Sequence, residues 1–171
     1  QDGEVTASFS KYSSFDESRR SEIINESIFL TGSIYGGLNL ESEIDSVFKQ
    51  TLGETILMRG KDMNLCGLAV CHCGAGSEAG SNTCYVKFGA TISSGQQLAL
   101  DIFENLLNSC ECFAASQGLS KLVAGVNVGN MGSYRKMIAK GFRTEFQGVL
   151  MTKNNDPGYH KEDICAIDDW R

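Results

Sequence analysis

Proton transfer near neutral pH needs an imidazole, a carboxylate or a phenol within reach of one another, and three positions in this sequence offer one. His72, one of two histidines, lies in an apolar run and faces the same way as Leu68 and Val70. Glu78 lies in the glycine-rich stretch 74–82, and Tyr134 sits in the first turn of a short amphipathic segment. As chemistry, His72 or Glu78 would be a general base, directly or through a water, and Tyr134 a general acid. As packing, His72 is a core-edge histidine, Glu78 a solvated loop residue and Tyr134 a core aromatic with its hydroxyl bonded. The sequence leaves both accounts open. Tyr85 and Lys87 share one face of a strand beside these groups and would line a cleft next to it.

Two other groupings carry less chemistry. Cys71-His72-Cys73 has the look of a metal cluster, but neighbours on a strand point to opposite faces, so only the two cysteines could share an ion. Cys110 and Cys112 lie two apart on a helix and do not face together. No metal site is expected. No cysteine has a histidine placed to make it a nucleophile.

The elements that must position these groups follow from periodicity. A first strand is expected over Val5–Tyr12, and Ser14 with Glu17 forms a capping box for a helix through Ile23, Ile24, Ile28 and Leu30, broken at Gly32. Leu40, Ile44, Val47, Phe48 and Leu52 lie on one face of a second helix, capped by Asn39 and stopped at Gly53. Strands follow over Thr55–Arg59, Leu65–Cys73 and Thr83–Ile92. A long helix covers about Gln97–Gln117, then come a strand over Lys121–Val128 and a helix over Asn130–Lys140 capped by Asn130. Arg143–Lys153 and Asp163–Trp170 close the chain as an expected antiparallel pair. The fold class is α/β (α+β), with a mixed, mostly antiparallel sheet of six to seven strands and about four helices on its two faces.

Composition bounds the function. The chain has 171 residues, 42% of them hydrophobic and 21% charged, as expected of a single domain over 1–171. A net charge of -6 argues against nucleic acid or an anionic membrane as partner. No apolar run reaches the length of a bilayer span. The seven cysteines fall largely in apolar segments and read as reduced thiols, which makes the cytoplasm the default compartment. Because residue 1 is Gln1, a longer tandem parent protein, with this domain as its C-terminal half, is also an expectation.

The segment Asn130-x-x-Ser133 running to Gly141-Phe142, and Leu106-Leu107 followed by Ala114 and Gly118, resemble the GNAT superfamily of acetyl-CoA-dependent N-acetyltransferases. With the element order, the resemblance covers nearly the whole chain. It implies a GNAT-like acyl-CoA N-acyltransferase fold whose fourth strand, ending near Thr91-Ile92, parts from the fifth, beginning near Leu122. The pantetheine arm of acetyl-CoA would bond to the open edge at Ala90, Thr91 and Ile92 and contact Asn130. The family's Arg/Gln-x-x-Gly-x-Gly/Ala turn is degenerate here, with Leu98, Asp101 and Phe103 at its key positions. A shifted register would let Ser93, Ser94, Gly95, Gln96 and Gln97 cradle the phosphates instead.

Met137 stands where many members carry a proton-donating tyrosine, and Tyr134, one turn earlier, is the substitute. The resemblance implies an N-acetyltransferase whose small-molecule amine acceptor attacks the thioester directly. The alternative is a catalytically inactive regulatory or dimerisation module, and the last strands are where a homodimer would form.

Overall fold

The computed structural model describes residues 8–149, 151, 153, 158 and 161–168. Among them the chain forms β1 (Ser8–Lys11), α1 (Glu17–Ile34), α2 (Glu41–Lys49), β2 (Gly53–Arg59), β3 (Leu65–Gly74), β4 (Gly80–Ile92), α3 (Gln96–Ser116), β5 (Lys121–Ala124), α4 (Met131–Ala139) and β6 (Ile164–Ile167). The part of the expected first strand before Ser8 lies outside the described residues.

Local chemistry sets the helix ends. Asp16, not Ser14, caps α1: its Oδ1 accepts from the Arg19 amide at 2.8 Å. Ser14 falls in a 3-10 turn over Tyr12–Ser14, and its hydroxyl donates to the Lys11 carbonyl at 2.6 Å. α1 also runs through Gly32 to Ile34, because Ile34 is fully buried and rewards two further residues of helix. Lys161 Nζ donates to the Ser33 and Ile34 carbonyls at 3.1 and 2.8 Å, satisfying the orphan acceptors at that end. Asn39 Oδ1 accepts from the Glu41 amide at 2.8 Å at the start of α2.

One sheet runs β1-β2-β3-β4-β5, antiparallel except for the parallel β4–β5 pair, and β6 joins it on β4. Gly53 lets β2 lie against β3, since a Cβ there would sit 1.9 Å from the Cys71 carbonyl oxygen. The sheet is buried on both faces. Ile23, Ile34, Ile44 and Val47 of α1 and α2 pack on Leu57, Leu68, Val70 and Phe88. Phe103, Leu106 and Cys110 of α3, with Met137 of α4, pack on Ile56, Ala69, Cys71 and Val86.

Val86 and Phe88 belong to opposite faces although two residues apart, which a regular strand forbids. Between them Lys87 is an extra residue: Val70 pairs with Phe88 and Cys71 with Val86. Such a bulge bends its strand and increases the local twist. At that point the strands part. β5 pairs with β4 from Thr83↔Lys121 to Val86↔Ala124 and stops, four residues short of the expected Val128.

The closing elements differ from expectation. Residues 143–149 form no strand, and β6 pairs with β4 instead, from Ile92↔Ile164 to Gly89↔Ile167. Ile164 and Ile167 are each buried to within 1% of full cover, and burying such a side chain is worth about 1.5–3 kcal/mol. An apolar four-residue strand takes the free edge that buries it best.

Candidate functional site: a parted strand edge and a polar chain beside it

The outer edge of β4 beyond the bulge is the edge expected to stay open at Ala90, Thr91 and Ile92. It is occupied by β6 of the same chain. An edge left by a departing neighbour exposes backbone donors and acceptors, and amides satisfy them; here the amides are polypeptide. Asn130 does two jobs at this cleft. Its Oδ1 accepts from the Ser133 amide at 3.1 Å, capping α4, and its Nδ2 donates to the Ile164 carbonyl at 2.8 Å. At the mouth, the Ser93 amide donates to the Asp163 carbonyl at 3.3 Å. β6 therefore engages three of the features assigned by sequence to a pantetheine-bearing ligand: the β4 edge, Asn130 and the start of the 93–97 turn.

α3 starts at Gln96, with Gly95 at its cap position and no side chain capping it. Its first amides, those of Gln96 and Gln97 included, lie beyond the reach of helical bonding, and Ser94 beside them is exposed. The residues that break the family turn lie on the helix itself. Phe103 is fully buried in the core, and Asp101 Oδ1 accepts from Gln97 Nε2 at 2.8 Å and lies 3.5 Å from Lys136 Nζ. Phe103 is thus turned away from the turn's solvent side, and Asp101 shares Lys136 with Glu104, whose Oε2 lies 2.5 Å from the same Nζ.

On the α1/α2 face a polar chain borders the bulge. His72 Nε2 lies 2.7 Å from Glu43 Oε1. Lys87 Nζ lies 3.7 Å from the same carboxylate oxygen and 2.5 Å from Glu78 Oε1. The structure thus joins His72 to Glu78 through two residues, of which sequence reasoning placed Lys87 near the cleft and missed Glu43. A signal for Glu43 existed: it falls in the inward stripe Leu40–Glu43–Val47, where a carboxylate calls for a partner. A carboxylate oxygen accepts, so Nε2 is the ring nitrogen that donates to Glu43. His72 is 3% exposed, and Nδ1 has no partner among the described residues.

Tyr134 stands on α4, on the opposite face of the sheet from His72, half-buried, and no described hydrogen bond or ion pair joins it to His72 or Glu78. Met137 is buried in the α3/α4 core and has no proton to give. Beneath α3, the Cys71 and Cys110 sulfurs lie 3.8 Å apart and Cys73 faces Cys84 across the β3–β4 pair; all seven cysteines are free thiols. Hydrogen bonds that the Cys71 thiol donates to Cys110 and Cys84, reinforced by burial, hold it well above the usual range. Among the described residues no group of three or more His, Cys, Asp or Glu is arranged to hold a metal ion, and no helix is long and apolar enough to cross a membrane.

No family model matches the chain, and no curated protein matches it in sequence. Solved structures match it in shape. The aminoglycoside N-acetyltransferase AAC(6')-Iy in complex with CoA aligns with a TM-score of 0.62 at 9% identity, over 90% of this chain and 99% of its own. The aminoglycoside 6'-N-acetyltransferase AAC(6')-Ih from Acinetobacter baumannii gives 0.58 at 13%, over 88% and 99%. An aminoglycoside acetyltransferase from an uncultured soil metagenomic sample, in complex with sisomicin, gives 0.60 at 11%, over 88% and 97%. At these identities the likeness is one of architecture: the chain has the GNAT acyltransferase fold.

Proposed function

We propose that this chain is an acyl-CoA-dependent N-acyltransferase, with acetyl-CoA as co-substrate and a small cationic amine as acceptor. One observation carries this reading: β4 and β5 part after Val86↔Ala124, at the Lys87 bulge, with Asn130 held at the cleft. The amide-bonding partners along that cleft are of the kind a pantetheine arm needs, since the amides of β6 already use them. Structures of the same fold carry coenzyme A and aminoglycoside-type acceptors, which supports the substrate classes.

The coenzyme would supply an acyl thioester to the amine. The chain would supply the proton chemistry. Glu43 orients the His72 ring, which would serve as the general base through a water. Glu78, already bonded to Lys87, is the other candidate base. Tyr134, on the far layer, gives its proton to the departing thiolate. Gly89–Ile92 and Asn130 would hold the arm, and Ser93, Ser94, Gly95, Gln96 and Gln97 the phosphates, through the uncapped start of α3. Glu43 and Glu78 give the acceptor side the acidic character that suits a cation.

The alternative, an inactive regulatory or dimerisation module within a longer protein, is favoured by the same β6 that fills the cleft. Incubation with acetyl-CoA and a panel of polyamines, aminoglycosides and amino acid amides, read by mass spectrometry, separates the two. An acetylated amine is expected, with turnover reduced about 10²–10⁴-fold in His72→Ala. No product with any acceptor, and no thermal shift with millimolar acetyl-CoA, would leave only the inactive module.

A further inference from the structure

We infer that Cys73 and Cys84 form a site of reversible thiol oxidation, closed to a disulfide by a hydroperoxide and opened again by a dithiol. Neither residue takes part in the transferase chemistry above, so the site stands or falls apart from it.

Register sets the geometry. Cys73 of β3 and Cys84 of β4 are direct partners across an antiparallel pair. Their side chains therefore leave the sheet on one face, the face that α3 covers, where Cys84 belongs to the core and Cys73 packs against it. Directly opposed Cα atoms lie about 4.5–5.5 Å apart. A disulfide spans roughly 4.4–6.8 Å between Cα atoms, so the strands already hold the pair at bonding span.

Access separates this pair from its neighbours. Cys71 and Cys110, with sulfurs 3.8 Å apart, are both fully buried, and so is Cys84. Cys73 is half-buried, and it is the member of this thiol cluster that solvent reaches. Cys112 is exposed, but it lies two residues from Cys110 on α3 and does not face with it.

The surroundings assign the roles. The Cys71 and Cys73 thiols donate to Cys84 and pull its pKa below the ordinary 9.0, so the first thiolate of the cluster forms there. The hydrogen bond to Cys84, reinforced by burial, holds Cys73 above its ordinary value, so its oxidation speeds up as pH rises. A Cys73 thiolate attacks one oxygen of a hydroperoxide, ROOH. The O–O bond breaks, ROH leaves with the proton, and Cys73 becomes a sulfenic acid. The Cys84 thiolate then attacks the Cys73 sulfur; the S–S bond forms, the S–O bond breaks, and hydroxide leaves as water. The two thiols together give up two electrons and two protons, and one hydroperoxide is reduced to ROH and water. The bond closes the base of the hairpin between Gly74 and Gly80, the hairpin that carries Glu78.

The test treats the folded full chain with hydrogen peroxide, stops the reaction by unfolding in excess N-ethylmaleimide, and maps a digest made without reductant by mass spectrometry. A peptide joining Cys73 to Cys84 is expected, removed by dithiothreitol and formed faster at about pH 9 than at about pH 7. It is expected to survive Cys112→Ser, and in Cys73→Ser Cys84 is expected to stay a labelled free thiol. Cys73 and Cys84 both labelled as free thiols at a dose that oxidises Cys112 overturns the site. So does a peptide joining either of them to another cysteine, or Cys73 carried to sulfinic acid with Cys84 still free. The wild-type map alone decides these outcomes, so refutation does not depend on either variant folding.

Discussion

The outer edge of β4 has two halves with different partners. Thr83–Val86 takes β5 in parallel, and Gly89–Ile92 takes β6 antiparallel. The first partner arrives by a local route, up α3 and straight back through Lys121, the helical crossover that parallel strands require. The second returns from more than seventy residues further along the chain. Burial runs opposite to locality: β5 has no buried residue, while Ile164, Cys165 and Ile167 of β6 are buried. The half that builds the sheet is lightly packed and topologically secure. The half suited to chemistry is tightly packed by a partner that topology does not enforce, and the Lys87 bulge separates the two.

Substitutions should separate the halves, beginning with the largest effect. Ile167→Ala leaves a cavity under α3 and should lower stability by about 2–4 kcal/mol in urea unfolding, against about 1 kcal/mol for Leu122→Ala on half-buried β5. Equal losses would erase the distinction. Asn130→Ala removes both a helix cap and the partner of the Ile164 carbonyl, about 2 kcal/mol together. Asn130→Ser keeps a capping oxygen and loses only the donor, so about half that loss is expected by the same method.

Glu43→Ala takes the acceptor from the buried His72 Nε2–H and should cost about 1–2 kcal/mol without changing hydrogen exchange in β6. A change at β6 would couple the polar chain to the cleft.

The smallest effect is a pH dependence. Burial raises the Cys165 thiol above its ordinary pKa of 9.0. Its contribution to stability is therefore whole below the unfolded-state value and is lost as pH rises through it towards the folded one. Wild-type stability should fall more steeply between about pH 8 and 10 than that of Cys165→Ala, as read by thermal unfolding.

Most of the frame was legible because it is periodic. The inward stripe of α2, the run Leu65–Gly74 and the α3 positions Ile102, Phe103, Leu106, Leu107 and Cys110 announce themselves by spacing. Asn130 announced its cap by residue type and place. The Lys87 bulge was not legible, because it arises from a mismatch between two strands and neither strand shows it alone. The partner of β6 was hidden for a related reason: four consecutive apolar residues, packed on both faces, specify a core strand but not which edge it joins. Glu43 was hidden among the ordinary charges of an amphipathic helix, and only its place between Leu40 and Val47 set it apart.

A crystal structure of the chain grown with saturating coenzyme A decides whether the parted strands receive the coenzyme. A pantetheine arm is expected along Gly89–Ile92, within bonding distance of Asn130, with Ile164–Ile167 withdrawn from that edge. Ile164–Ile167 still paired to β4, with no coenzyme between the parted strands, would contradict it.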